Sequence, residues 1–491
     1  MSNVNISEQE LNAIVAKVVG ALAGKTAPEA TSAPAEEYSS TQYKGRQYIG
    51  IYPTMTEALE AAAKSYKLIR EMTVEQREKI IAQIRKFTRD EADIMAEMGV
   101  AETGMGRVDH KRLKHLLVAD KTPGTEDLET RAKTGDDGLS LMEMAPFGII
   151  GAITPSTNPS ETVICNSMGM LAGGNAVVFN PHPNAIKTSN YAVDLVNRAS
   201  MAAGGPANLV CSVVKPTMQT ADDMVKSPLV KLLVCTGGPG VVRAMLSSGK
   251  KAIGAGAGNP PVIVDETADI KKAAKDIIDG CTFDNNLPCI AEKEVFAISD
   301  IADELVYHMT QNGAYLIDEK QTEALAKVVL VEKRNEKTGC VGQSINKKWV
   351  GKDAKKILRE IGIEVSDDIR CIICLTDKDH IFVKEELMMP ILPIVKVSNV
   401  DTAIEYAVVA EHGNRHTAHM HSKNIDNLTK FAKAVETTIF VKNAPSYAGI
   451  GFGGEGHCTF TIAGPTGEGL TSARSFTRQR RCVLSDGFRI V

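Results

Sequence analysis

The chain has 491 residues, enough at about 150 residues per domain for two or three domains and too many for one small module. Hydrophobic residues make up 43% and charged residues 24%, and 56 Lys and Arg against 60 Asp and Glu leave a net charge of -4. That balance gives no electrostatic case for nucleic acid or for an anionic membrane, and no apolar run reaches the ~20 residues that span a bilayer. The first ten residues lack a secretory pattern, and ten scattered Cys without paired spacing point to reduced thiols in a cytoplasmic protein.

Residues 7–24 predict an amphipathic helix. Ser7 and Glu10 match a capping box, and Leu11, Ile14, Val15, Val18, Val19 and Leu22 recur on one face. Residues 25–45, rich in Ala, Pro, Ser and Glu, predict a flexible linker. A helix tethered in this way either docks in the groove of another protein or packs on its own domain or oligomer. From Thr56 to about Gly104 the pattern is helical, with a second capping box at Thr73 and Gln76. Strands are then expected at 147–155, 176–180, 209–214 and 229–235, alternating with helices near 161–172, 185–203, 218–226 and after Gly240. This alternation predicts an α/β fold, a parallel sheet with helices on both faces and a nucleotide at the carboxyl ends of its strands. A second alternating region follows Pro261, with helices near 268–280 and 301–312 and strands near 294–298 and 391–397. The tail from Ser475 combines Arg478, Arg480 and Arg481 with Val483, Leu484, Phe488, Ile490 and Val491, which favours an intersubunit strand.

Cys289 follows the polar turn Asp284-Asn285-Asn286-Leu287-Pro288 and precedes a strand, so its thiol is a candidate nucleophile facing a cleft; an inert core thiol is the competing reading. Cys281, eight residues earlier in a helical pattern, is the expected dispensable control. Thr236, Gly237, Gly238, Pro239 and Gly240 link a strand to a helix. Glycines there admit a phosphate close to exposed amides, although a tight turn without a ligand has the same pattern. His412, His416, His419 and His421 invite a metal reading, but no Cys pair or Glu-x-x-His spacing accompanies them, and no metal site is assigned.

These features, with Ile153-Thr154-Pro155-Ser156-Thr157-Asn158-Pro159, Asn180-Pro181-His182-Pro183 and Glu386-Leu387-Met388-Met389-Pro390, resemble the aldehyde dehydrogenase superfamily across residues 46–491. The branch they are most similar to is the CoA-acylating acetaldehyde and propionaldehyde dehydrogenases of bacterial microcompartments. The resemblance implies a Rossmann-type NAD-binding domain at 46–258 with an oligomerisation hairpin near 133–144. A catalytic domain at 259–443 and a return with an oligomerisation tail at 444–491 complete it. It implies Cys289 as nucleophile, with Thr157 or Asn158 beside the Cys289 amide as oxyanion donor. For the cofactor it implies Glu386 at the nicotinamide ribose, Thr236, Gly237, Gly238 and Gly240 at the phosphates, and Thr154, Pro155, Asn180, Pro181 and His182 around the remainder.

Hydrolytic relatives carry a water-activating Glu in a motif that aligns Gly254 at its position, so the resemblance implies coenzyme A as acyl acceptor, a thiol needing less help than water. Phosphorylating semialdehyde dehydrogenases lack that Glu as well. The resemblance further implies a homodimer or homotetramer, residence inside a cytoplasmic bacterial microcompartment, and residues 1–24 as an encapsulation helix for a shell or cargo protein. The alternatives are a hydrolytic enzyme releasing a free acid and a catalytically idle assembly protein.

Overall fold

The computed structural model describes residues 38–334 and 341–491, so the predicted helix over 7–24 and most of the linker lie outside the described residues. Two parallel sheets carry the architecture. The first has six strands in the order Ala252–Ala255, Val230–Thr236, Ile149–Thr154, Ala176–Pro181, Val210–Val213, Ile51–Tyr52, and every neighbouring pair is parallel. Helices cover both faces, so these strands read as continuous apolar runs; Ile150, Ala152, Val177, Phe179, Leu232 and Val234 are fully buried. The chain leaves Ile149–Thr154 in one direction and returns to its other side as Val230–Thr236. The crevice therefore opens beyond the carboxyl ends of those two strands, at Thr154 and Thr236.

The second sheet has seven parallel strands in the order Ala314–Ile317, Cys371–Leu375, Ile391–Val397, Glu294–Ile298, Pro261–Val264, Thr417–His421, Ile439–Lys442. Residues beyond it return to the first sheet, where the Thr461 and Thr236 hydroxyls meet at 2.8 Å and Gly254 N donates to Thr466 Oγ1 at 3.3 Å. The predicted hairpin and tail form a three-stranded antiparallel sheet of Arg131–Gly135, Gly138–Pro146 and Thr477–Ser485.

The helical stretch expected from Thr56 is three helices, Met55–Glu71, Val74–Asp90 and Ala92–Thr103. The Thr73 and Gln76 capping box forms as expected, and Thr54 with Glu57 makes another that the sequence reading passed over. Short strands such as Ala252–Ala255 and Ala314–Ile317 were not anticipated, because four residues carry no period and glycine masks the first. Helix Val108–Lys121 was missed for another reason. Its inward face carries Lys111 and Lys114, so the usual apolar stripe is broken by charge.

Candidate active site

The amino ends of three strands in the second sheet meet at one glycine. A Cβ built on Gly258 would lie 2.7 Å from the Cys289 carbonyl oxygen and 3.1 Å from His416 Cγ. Gly258 N also donates to the Glu386 carboxylate. Cys289, His416 and Glu386 thus surround a position where only glycine leaves room, just before strand Pro261–Val264.

Cys289 is held by strained backbone. Asp284, Asn285 and Asn286 have φ of 49°, 54° and 67°, three consecutive left-handed residues of the types that tolerate that region best. Every one is braced. Asp284 N donates to His110 Nδ1 at 2.8 Å, and Arg107 N donates to Asp284 Oδ1 at 2.8 Å. Asn285 Nδ2 donates to Gly351 O and Asp353 Oδ1, both at 3.0 Å. Asn286 Nδ2 donates to the carbonyls of Cys281 and Glu292, both at 3.0 Å. The outcome is a partly exposed Cys289 side chain, whereas Cys165, Cys211, Cys235, Cys281, Cys371 and Cys374 are buried.

Beneath this turn lies a charge cluster. Lys114 Nζ contacts Asp284 Oδ2 at 2.6 Å, Glu161 Oε1 at 2.9 Å and Asn158 Oδ1 at 2.5 Å, and Lys111 Nζ adds Asp284 Oδ2 at 3.0 Å and the Thr157 carbonyl at 3.1 Å. All four charged side chains are at most 1% exposed, and two cations balance two anions. Burial alone would raise the Glu161 carboxyl, but Lys114, His115 and Lys111 outweigh it and bring it down to about 2. Because Lys114 occupies Asn158 Oδ1, the amide orientation is set and Asn158 Nδ2 is its remaining donor group. Thr157 is already used by Lys111 at its carbonyl and by Asn158 Nδ2 at its hydroxyl, 3.3 Å away.

A second buried cation, Lys293, donates to Asn286 O at 3.0 Å and Asn286 Oδ1 at 2.6 Å, and stands 3.9 Å from Glu386 Oε1. Burial pushes the Cys289 thiol up to about 12 and the neighbouring Glu386 adds to the rise, while Lys293 and Lys114 pull it down. Glu386 itself is pushed up to about 7 by burial, against Lys293 and the Gly258 amide. His416 is pulled down to about 4 by burial and by Lys293, so its imidazole is neutral; Nδ1 pairs with Thr417 Oγ1 at 2.8 Å, and buried Nε2 is without a protein partner among the described residues.

The thiol's elevation gives a direct expectation. Alkylation of Cys289 by iodoacetamide, measured without ligands, rises about tenfold per pH unit from pH 7 towards 10, because only the thiolate reacts. Lys293→Met slows it further at each pH and Lys293→Arg restores part of the rate; a plateau below pH 8, or a Met variant as fast as the parent, would contradict the assignment.

The residues expected at the cofactor converge on the first sheet. Thr154 and Pro181 are paired neighbours, and Ile153 pairs with Asn180 on one side and with Cys235, one residue before Thr236, on the other. Thr154 Oγ1 is buried without a partner among the described residues, as expected of a hydroxyl that faces a ligand. A Cβ on Gly237, Gly238 or Gly240 would meet nothing within 4 Å, so the start of helix Pro239–Leu246 is open to an anion. Asn180 Oδ1 accepts from Thr220 Oγ1 at 2.6 Å, and His182 Nδ1 accepts from Asn184 N at 3.1 Å, which gives His182 a turn-capping role. Gly254 is buried in its strand, where an added Cβ would come within 2.7 Å of Val242 Cγ1, leaving no room for a carboxylate.

Sequence reasoning passed over Lys111, Lys114, Glu161 and Lys293, noted Gly258 only as part of a glycine run at 254–261 without an acid or base, and weighed His416 only as a metal ligand. The sole local signal was two lysines three apart on one helix face, which has the same appearance at a solvated surface.

Residues 50–472 match the model of the aldehyde dehydrogenase family. An acetaldehyde dehydrogenase (acetylating) of Bilophila wadsworthia is 48% identical over 447 residues, 90% of this chain and 91% of that protein. A CoA-propanoylating propanal dehydrogenase of Salmonella typhimurium is 47% identical over 442 residues, 90% of this chain and 93% of its own length. Among solved structures, a propionaldehyde dehydrogenase from the fucose utilisation microcompartment of Clostridium phytofermentans is 59% identical with a TM-score of 0.87, covering 90% of this chain and 100% of that one. A Rhodopseudomonas palustris propionaldehyde dehydrogenase with bound CoA and an acylated cysteine is 52% identical with a TM-score of 0.85, covering 89% and 98%. With these likenesses along most of its length, and with a partly exposed Cys289 on the braced turn before strand Glu294–Ile298, the chain belongs to the aldehyde dehydrogenase family.

Proposed function

We propose that this chain oxidises a short aliphatic aldehyde, propionaldehyde or acetaldehyde, to its acyl-CoA with NAD and coenzyme A. The observation that carries the reading is Cys289 beside neutral His416 and Glu386, with Gly254, which the motif resemblance aligns with the water-activating base of hydrolytic relatives, packed against Val242. Cys289 Sγ attacks the carbonyl carbon, and the new oxyanion lies between the Cys289 amide and Asn158 Nδ2, the latter oriented by Lys114. Thr154, Thr236, Gly237, Gly238 and Gly240 hold the cofactor phosphate and ribose region, and Glu386 holds the nicotinamide ribose. A nicotinamide bound there supplies the hydride acceptor. The thiohemiacetal on Cys289 becomes a thioester, whose carbonyl the coenzyme A thiol then attacks. His416 Nε2, neutral beforehand, takes the proton of that thiol as its sulfur attacks, and Cys289 leaves as thiolate.

Asn158→Ala is expected to lower kcat by about 10²–10³ with a smaller change in KM, the loss seen when one oxyanion donor is removed. The acyl-enzyme is tested directly: intact-protein mass spectrometry after propionaldehyde and NAD, without coenzyme A, gains one propionyl group on Cys289. A free Cys289 after a burst of NADH would overturn the covalent step.

The antiparallel sheet supports assembly as a homodimer or homotetramer, since Val483, Leu484, Phe488, Ile490 and Val491 are all exposed along the tail. Residues 1–24 are proposed to dock on a shell or cargo protein of a bacterial microcompartment. Deleting them leaves turnover intact and abolishes co-purification with shells.

A further inference from the structure

At the amino ends of the first sheet, opposite the cofactor crevice, four arginines surround one cavity of about 270 Å³. Arg70 closes helix Met55–Glu71, Arg77 lies in helix Val74–Asp90, and Arg478 and Arg480 project from one face of strand Thr477–Ser485. The cavity also touches Pro146 and Gly174, which stand just before strands Ile149–Thr154 and Ala176–Pro181, so a whole sheet length separates it from Thr154 and Thr236.

Nothing acidic lines this cavity, and none of the four arginines makes an ion pair among the described residues. Glu143 is the cross-strand neighbour of Arg480 in register, yet the two form no ion pair. Two of the guanidinium groups are fixed by backbone. Arg77 Nη1 donates to Ala172 O at 2.6 Å, and Arg478 Nε donates to Pro146 O at 3.3 Å. Arg77 Nε is buried with no partner, and burial without a counter-charge pulls the Arg77 pKa down. Four converging cations, two already oriented, leave a concave site short of negative charge.

We propose that this cavity binds a diphosphate group. Guanidinium forks pair bidentately with phosphate oxygens, and several forks facing one cavity suit adjacent phosphates better than a single carboxylate. The size agrees, since 270 Å³ lies just below the roughly 300–1,000 Å³ of sites for drug-sized ligands and excludes a whole dinucleotide. A diphosphate seated there ties helices Met55–Glu71 and Val74–Asp90 to the tail strand, so its effect is on stability and on the tail rather than on the chemistry at Cys289.

The test is calorimetric titration of the full chain with inorganic pyrophosphate, and separately with ADP, at constant ionic strength and with NAD present to fill the crevice. Saturable pyrophosphate binding is expected, weakened at least about tenfold in the Arg70→Ala/Arg480→Ala double variant and only partly in Arg480→Lys, with kcat unchanged in each. ADP binding with the same sensitivity identifies a nucleotide's diphosphate as the ligand; pyrophosphate binding alone identifies the free anion. Absence of saturable binding, or equal affinity in the double variant, overturns the proposal. Should the double variant fail to fold, the single Arg70→Gln and Arg480→Gln variants must each weaken binding for it to stand.

Discussion

A Cys289→Ala variant is expected to lose turnover by a factor on the order of 10⁶, the scale that follows removal of a covalent nucleophile. The loss should fall on kcat and leave NAD binding near its parent value, because Cys289 lies on the turn before strand Glu294–Ile298 of the second sheet, whereas the residues assigned to the cofactor phosphates lie at the end of strand Val230–Thr236 of the first and at the start of helix Pro239–Leu246. Cys281 provides the control. It is buried at the end of helix Ile270–Thr282 with its thiol 3.8 Å from that of Cys371, and Cys281→Ala should keep most of the activity. Steady-state NADH formation on both variants checks the pair; comparable losses would remove Cys289 from its role.

The second large effect is expected at Lys114. Its replacement by Met leaves Glu161 and Asp284 buried with only Lys111 and His115 for compensation, a loss worth about 3–5 kcal/mol of stability when a buried ion pair is broken from one side. Activity should fall as well. Asn158 loses the partner that orients its amide, and Asp284 loses one of the contacts that hold the left-handed turn before Cys289. Urea denaturation and kcat are the readouts. Unchanged values for both would mean that the cluster neither braces the turn nor orients Asn158.

Much of this was legible in the chain itself. Apolar runs around Ile149–Thr154, Ala176–Pro181 and Val230–Thr236 are each bounded by turn residues and followed by helical periodicity, so these central strands of the first sheet follow from pattern alone, while its edge strands Ala252–Ala255 and Ile51–Tyr52 do not. Cys289, Thr236 and Glu386 were reachable through local context and resemblance. The supporting charges were not. Lys111 and Lys114 lie in a run of basic residues and Lys293 lies between two glutamates, which is how solvated surfaces look, and the burial of the first two depends on contacts across more than 150 residues, as between Lys114 and Asp284. The role of Gly258 is likewise a matter of three strand ends meeting, which no spacing along the chain records.

The central claim, that the acyl group passes to coenzyme A rather than to water, is tested most directly by NADH formation from propionaldehyde with and without coenzyme A, followed by mass detection of the product. Sustained turnover only with coenzyme A, yielding propionyl-CoA, is the predicted result. Sustained turnover without it, yielding propionate, would contradict the account and would place a water-activating group at the site despite the packed glycine at 254.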